Sequence, residues 1–207
     1  MRHSQAEPLS QVVSAAPAGE RAPFPRLLPW LLTLGGLVGL AAAFTLSVEK
    51  IALLKNPAYV PSCSLNPVLS CGSVMNTPQA EAFGFPNPLL GVVGFAIVTT
   101  VGVVLLTGAG LPRWFWLGLQ VGVTFGAVFV HWLIYQSLYV IGALCPYCMA
   151  VWAVTVPLFW YVTLYNLRRL RAAQAAIGYH TVPLTLWFLA VITAIGIQFW
   201  FYWSTLI

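Results

Sequence analysis

The chain has 207 residues, of which 60% are hydrophobic and only 6% are charged. An average globular domain is about 25% charged, so this composition cannot form a water-soluble surface. We therefore predict an all-α integral membrane protein and exclude a soluble enzyme, a nucleic-acid-binding protein or a secreted disulfide scaffold as the main body. The net charge of +5 is better explained by positive residues that flank membrane spans.

Five apolar segments, each near the about 20 residues that a helix needs to cross a bilayer, follow a polar tail. The tail, residues 1–26, contains scattered prolines and no apolar periodicity, so we predict that it is disordered. The spans are predicted at 27–48, 88–111, 114–141, 147–167 and 183–207. An alternative for the first span is a cleavable signal peptide ending near Ala41, Ala42 and Ala43.

Two further segments connect these spans. Residues 49–87 form a polar loop with five prolines, in which 66–75 has the spacing of a short helix on the membrane surface. Residues 168–182 form a short connector. From Trp114 to Leu167 the chain carries no Lys, Arg, Asp or Glu, so Gly142 and Pro146 are predicted to separate two helices there.

The positive residues give the chain a direction. An odd number of spans puts the seven arginines on one side of the membrane and leaves Lys50 and Lys55 on the other. By the positive-inside rule, the N-terminus and the connector are cytoplasmic. The loop 49–87, the turn at 142–146 and the C-terminus then face outward.

All four cysteines fall on that outward side, where disulfides form. Cys145 and Cys148 form a C-x-x-C at a helix N-terminus, which stabilises the thiolate that attacks a disulfide. Cys63 and Cys71 lie in the loop and could exchange with a soluble protein partner. The cysteines thus predict two redox pairs in series, ending on quinone, an apolar acceptor of two electrons and two protons.

Other roles for the cysteines are weaker. A metal site is not expected, because the spacing of Cys63 and Cys71 is too wide for a zinc-binding C-x-x-C unit. A c-type haem motif is absent, since Met149 follows Cys148. A non-enzymatic membrane scaffold with two structural disulfides is the alternative from a different functional class.

The residues that carry this pattern resemble the vitamin K epoxide reductase family, over roughly residues 27–167. The resemblance rests on three stretches: Cys63 through Cys71-Gly-Ser73-Val, Phe83-Gly-Phe-Pro-Asn87-Pro-Leu-Leu-Gly91, and Cys145-Pro-Tyr-Cys148. It implies a four-helix catalytic core around a quinone, capped by the outward loop 49–87, with one extra C-terminal helix.

The resemblance also implies an electron path. A DsbA-like thioredoxin-fold protein passes electrons to Cys63 and Cys71, Cys71 exchanges with Cys145, and Cys148 faces the quinone. The loop looks most similar to actinobacterial members, which implies the inner membrane of a bacterium, with the cysteines outside. Menaquinone is then favoured over ubiquinone, and disulfide formation in exported proteins is the expected role. Many bacterial relatives carry a fused thioredoxin-like domain after the last span. This chain stops at Ile207, just past that span, so we expect a separate partner polypeptide here.

Four further residues are candidates for a role at the site. Asn87 matches the family's ligand of a quinone oxygen, but it could instead cap the helix that starts at Pro88. Trp152 takes the place of a Tyr in animal members; its N–H cannot accept, which disfavours the alternative of vitamin K quinone or epoxide reduction. His131 is a proton relay or a neutral side chain paired with another helix. Glu81 moves protons, orients the loop, or is simply exposed.

Overall fold

The computed structural model describes residues 24–204, so most of the predicted tail lies outside the described residues. The helices are α1 Leu27–Lys55, α2 Cys71–Met75, α3 Pro88–Leu106, α4 Arg113–Tyr135, α5 Pro146–Leu167, α6 Arg171–Gly178, α7 Thr181–Gln198 and α8 Trp200–Trp203. A 3-10 turn spans Pro78–Glu81, and a π-helix, Gln136–Ile141, continues α4.

Five helices within the described part of the chain are long and apolar enough to cross a membrane. They are α1, α3, α4 with its π-helical extension, α5 and α7. The prediction of an all-α protein with five membrane spans is therefore confirmed, and the chain is a multi-pass membrane protein.

The predicted end of the first span at Val48 is wrong, because α1 continues to Lys55. The two charged residues that were expected to begin the loop, Glu49 and Lys50, are helical and buried. Both are paired with loop groups: Glu49 accepts from Ser62, and Lys50 donates to the Met75 carbonyl. A paired charge does not need bulk water, so these charges do not end the helix.

The remaining boundaries differ less. The second span ends at Leu106 rather than 111, and the third begins one residue earlier than predicted. Of the short helix predicted at 66–75, only Cys71–Met75 is helical, because residues 66–70 form a turn around Asn66. The connector contains α6, and the fifth span ends at Gln198 before the short α8. Gly142, with φ of 68°, ends the π-helix at the predicted break.

Four of the spans form the bundle. Helix α1 packs most extensively against α3 and also against α5, which in turn packs against α4. The approach of α1 to α3 is close: a Cβ at Gly36 would lie 2.9 Å from the backbone nitrogen of Thr99. Helices α3 and α4 do not share such an interface, so the bundle is open between them.

Helix α7 lies outside this bundle, as the predicted extra helix, and none of its residues is buried. The Trp187 indole N–H donates to His131 Nε2 on α4 at 2.8 Å. The Tyr161 hydroxyl on α5 also lies 2.7 Å from His180 Nδ1, just before α7. Polar contacts at two levels therefore attach α7 to the bundle, which fits the value of interhelical hydrogen bonds in lipid.

Candidate functional site

The two loop cysteines, Cys63 and Cys71, are joined in a disulfide, with their Cα atoms 5.5 Å apart. Cys71 is the first residue of α2, and the hydroxyl of Ser70 accepts a hydrogen bond from the backbone N–H of Ser73 to cap that helix. Both cysteines are buried, Cys71 completely. Exchange with another protein therefore requires the loop to open locally, since the reacting sulfurs must touch.

The loop disulfide lies directly against the C-x-x-C. The Sγ atom of Cys71 is 2.9 Å from the Sγ atom of Cys145, and the sulfurs of Cys63, Cys71 and Cys145 all lie within 4.8 Å of one another. Two of these three sulfurs belong to the disulfide and offer no thiolate to a metal ion. The arrangement instead has the close sulfur contact that thiol–disulfide exchange needs.

Backbone hydrogen bonds hold this contact in place. The Ser70 N–H donates to the Leu144 carbonyl at 2.8 Å, and the Leu144 N–H donates to the Val68 carbonyl at 2.7 Å. These bonds form a parallel bridge between Leu69 and Leu144. Because Ser70 precedes Cys71 and Leu144 precedes Cys145, the bridge sets the two cysteines side by side.

The C-x-x-C begins α5. Cys145 is the N-cap, and its Sγ accepts from the backbone N–H of Cys148 at 3.5 Å. The Cys148 thiol and the backbone N–H groups of Cys148 and Tyr147 donate to Cys145 and lower the pKa of its thiol below the usual value, although burial opposes this. Cys145 and Cys148 are both free thiols. Cys145 is therefore the cysteine of this pair that is favoured as a thiolate.

A cavity of about 670 Å³ lies between α3 and α4 and reaches α1 and α5 behind them. Cys148, Asn87 and Trp152 all line it, as do many apolar side chains. Val93 of α3 and Phe125 of α4 border the cavity and are more than half exposed. The cavity therefore opens sideways, toward the lipid that would surround the bundle.

Asn87 uses its side chain to hold the loop. Its Nδ2 donates to the Gln79 carbonyl at 2.7 Å, and its Oδ1 accepts from the Ala82 N–H at 3.0 Å. Asn87 occupies the N-cap position of α3, but its side chain makes no cap bond to that helix. The amide nitrogen carries a second N–H, which neither of these two hydrogen bonds uses.

Trp152 is 3% exposed, and its Nε1 has no hydrogen-bond partner within the described part of the chain. The same is true of the Oε1 atom of Gln136, which also lines the cavity. Buried polar groups are normally paired, so two unpaired ones in residues that line the cavity make these residues candidate contacts for a ligand. The predicted residue Trp152 thus meets Cys148 and Asn87 at one cavity.

His131 lies elsewhere. Its Nε2 accepts from Trp187, and its Nδ1 is 2.7 Å from the Ala127 carbonyl, so a neutral ring satisfies both contacts. It does not line the cavity. Of the two interpretations of His131, the structure agrees with a neutral side chain paired with another helix.

The Glu81 carboxylate contacts the Lys50 ammonium group at 3.0 Å. Lys50 also donates to the Met75 carbonyl at 2.8 Å, so this pair ties the loop to α1. Sequence reasoning used Lys50 only to orient the chain and assigned no role to Glu49 or Gln136. A charge inside a helical apolar run, or an amide inside a span, is a signal that could have identified them.

Comparison with known proteins agrees with this geometry. The profile of the vitamin K epoxide reductase family matches residues 30–163, which cover α1 to α5 and contain all four cysteines. Proteins of this family are membrane oxidoreductases that couple cysteine thiols to quinones. With well over half of its length matched, the chain belongs to the vitamin K epoxide reductase family.

Proposed function

We propose that this protein oxidises a DsbA-like thioredoxin-fold partner and passes the electrons through its two cysteine pairs to a membrane quinone. The observation that carries the proposal is the 2.9 Å contact between the sulfurs of Cys71 and Cys145, with Cys148 on the wall of the apolar cavity. In a cell this activity would support disulfide formation in exported proteins.

The first step is exchange at the loop. A thiolate of the partner attacks Cys63, a new partner–Cys63 bond forms, and the Cys63–Cys71 bond breaks to release Cys71 as a thiolate. The second partner thiol then attacks the mixed disulfide, leaves the partner oxidised and leaves Cys63 and Cys71 reduced. Each step is an exchange through a mixed disulfide, so the bonds and electrons balance.

The second step is exchange between the pairs. Cys71 attacks Cys145 of an oxidised C-x-x-C, and Cys148 leaves as a thiolate. Cys63 then attacks Cys71, which restores the loop disulfide and leaves Cys145 and Cys148 reduced. The structure has this same redox state, with the loop disulfide formed and both C-x-x-C thiols free.

The cavity has the properties that a quinone site needs. It is apolar and opens toward lipid, and two residues that line it, Trp152 and Asn87, each have an N–H group that could donate to a carbonyl oxygen. When bound there, a quinone would accept the two electrons and two protons that Cys145 and Cys148 release as they form a disulfide. Trp152 and Asn87 would orient it, and the apolar wall would exclude water.

The proposed setting is the inner membrane of a bacterium, with the N-terminus in the cytoplasm and the cysteines on the outer side. The uneven distribution of Arg and Lys supports this orientation. Menaquinone is the proposed acceptor in preference to ubiquinone, on the similarity of the loop to actinobacterial members.

The test is quinone reduction by the purified protein, with either a reduced DsbA-like protein or dithiothreitol as the donor. Replacing Cys145 or Cys148 with Ser should abolish reduction with both donors. Cys63→Ser should block the protein donor but spare dithiothreitol, which can reach the C-x-x-C directly. Full activity of Cys63→Ser with the protein donor would contradict the relay. Running each assay with menaquinone and ubiquinone analogues determines the preferred acceptor.

A further inference from the structure

Two residues that line the cavity each have a buried polar atom, Trp152 Nε1 and Gln136 Oε1, with no partner in the described part of the chain. They have opposite chemistry. An indole N–H can only donate a hydrogen bond, and an amide oxygen can only accept one. The residues that line the cavity therefore include one side chain with an unused donor and one with an unused acceptor.

Gln136 reaches the cavity because of its position on α4. The cavity-facing residues of α4 recur every three or four positions, at Gly118, Gly122, Gly126, Phe129 and Leu133. Gln136 continues this stripe as the first residue of the π-helix. Short π-helical segments are found frequently at functional sites, because they alter where a side chain points.

The other glutamine of α4 shows what a structural glutamine looks like in this bundle. Gln120 donates to Thr163 at 2.9 Å and to Thr124 at 3.1 Å, and it accepts from Asn166 at 3.0 Å. It does not line the cavity. The unpaired oxygen of Gln136 is therefore not a general property of amides in this bundle.

We infer that Gln136 makes the cavity selective for the reduced form of its ligand, the hydroquinone. A quinone carbonyl accepts from Trp152 but has no hydrogen to give Gln136. A hydroquinone hydroxyl can accept from Trp152, and a hydroxyl can also donate to the Gln136 oxygen. Only the reduced ligand satisfies both groups, and a buried acceptor left without a donor weakens binding.

This inference rests on the proposed quinone reduction and gives it a driving force. If the hydroquinone binds more tightly than the quinone, the bound quinone is easier to reduce by the same factor. For a two-electron couple, a tenfold preference corresponds to about 30 mV. Gln136 would thus act as a ligand-binding residue that favours electron flow from Cys148 into the cavity rather than out of it.

The test is a binding measurement. Menadione and menadiol are titrated anaerobically against protein carrying Cys145→Ser and Cys148→Ser, so that the ligand does not exchange electrons, and binding is followed by quenching of tryptophan fluorescence. Gln136→Met, of similar size, should weaken menadiol binding about tenfold and change menadione binding less than about twofold. Gln120→Met is the matched control and should change neither.

Other outcomes are equally informative. Unchanged menadiol binding in Gln136→Met, or an equal loss for both ligands, would overturn the role of Gln136 and leave the proposed quinone reduction standing. If the protein with Gln136 intact does not bind menadione at all, the proposed function itself is overturned. Gln136→Leu is a second variant, and equal near-ultraviolet circular dichroism of all variants shows that they are folded.

Discussion

Cys71 and Cys145 are separated by 74 positions in the chain, yet their Sγ atoms lie 2.9 Å apart. The two residues that precede them, Ser70 and Leu144, are joined by a backbone hydrogen bond of 2.8 Å. The contact is therefore held by the backbone and does not depend on the orientation of the cysteine side chains alone. This geometry makes the exchange between the two pairs directly testable.

Removing Cys63 and Cys148, the first and last cysteines of the relay, should trap the exchange between Cys71 and Cys145. In the double variant Cys63→Ala, Cys148→Ala, only Cys71 and Cys145 remain, and mild oxidation should join them in nearly every molecule. Mass spectrometry of the intact protein and of its peptides would detect the bond. The matched control, Cys63→Ala with Cys145→Ala, leaves Cys71 and Cys148 and should cross-link far less. Equal yields in the two variants would contradict direct exchange between Cys71 and Cys145.

The ionisation of Cys145 should depend on Cys148. The hydrogen bonds at the start of α5 lower the pKa of the Cys145 thiol, so its thiolate persists to lower pH than that of an ordinary cysteine. Cys148→Ala removes a donor to the thiolate and should raise the pKa of Cys145. Thiolate absorbance, taken as the difference from the Cys145→Ser variant across a pH titration, measures this directly. An unchanged titration would show that Cys148 has no such effect.

Lys50 should stabilise the protein more than its partner Glu81 does. Lys50→Met leaves the Met75 carbonyl without its buried donor, which should lower the free energy of unfolding by about 1–3 kcal/mol. Glu81 is 39% exposed, so Glu81→Gln should cost less than about 1 kcal/mol. Denaturant unfolding in detergent measures both. Lys55→Met, at the exposed end of α1, is the control. If Lys55→Met lowered the free energy of unfolding as much as Lys50→Met does, this would argue against a specific role for Lys50.

Filling the cavity should weaken quinone binding without harming the fold. A Cβ at Gly122 would meet nothing within 4 Å, so Gly122→Leu can start its side chain without a clash at a residue that lines the cavity. We expect the apparent KM for quinone to rise about tenfold, since a side chain now occupies ligand space. Steady-state kinetics with dithiothreitol as donor measures this change.

The control for that variant is Gly196→Leu. A Cβ at Gly196 also meets nothing within 4 Å, but Gly196 lies on α7, away from this cavity. Its substitution should leave the KM for quinone unchanged. A normal KM for quinone in Gly122→Leu would mean that quinone binds elsewhere.

The sequence by itself determined the membrane class, the approximate positions of the five spans, the C-x-x-C at the start of a span and the membership of the family. These features depend on hydropathy and on spacing within short segments, where each residue contributes independently of the fold. Gly142 and Pro146 could be identified as a break for the same reason, because their backbone preferences are local.

Only the tertiary structure decided which groups meet. Glu49 and Lys50 are charged, and a sequence predicts that charges end a span, but their partners in the loop allow α1 to continue past them. The side chain of Asn87 could have capped α3, yet its contacts with Gln79 and Ala82 are available only in the folded loop. The backbone bridge at Leu144 likewise requires two distant segments to pack together. Such contacts arise from long-range packing, which no local pattern encodes.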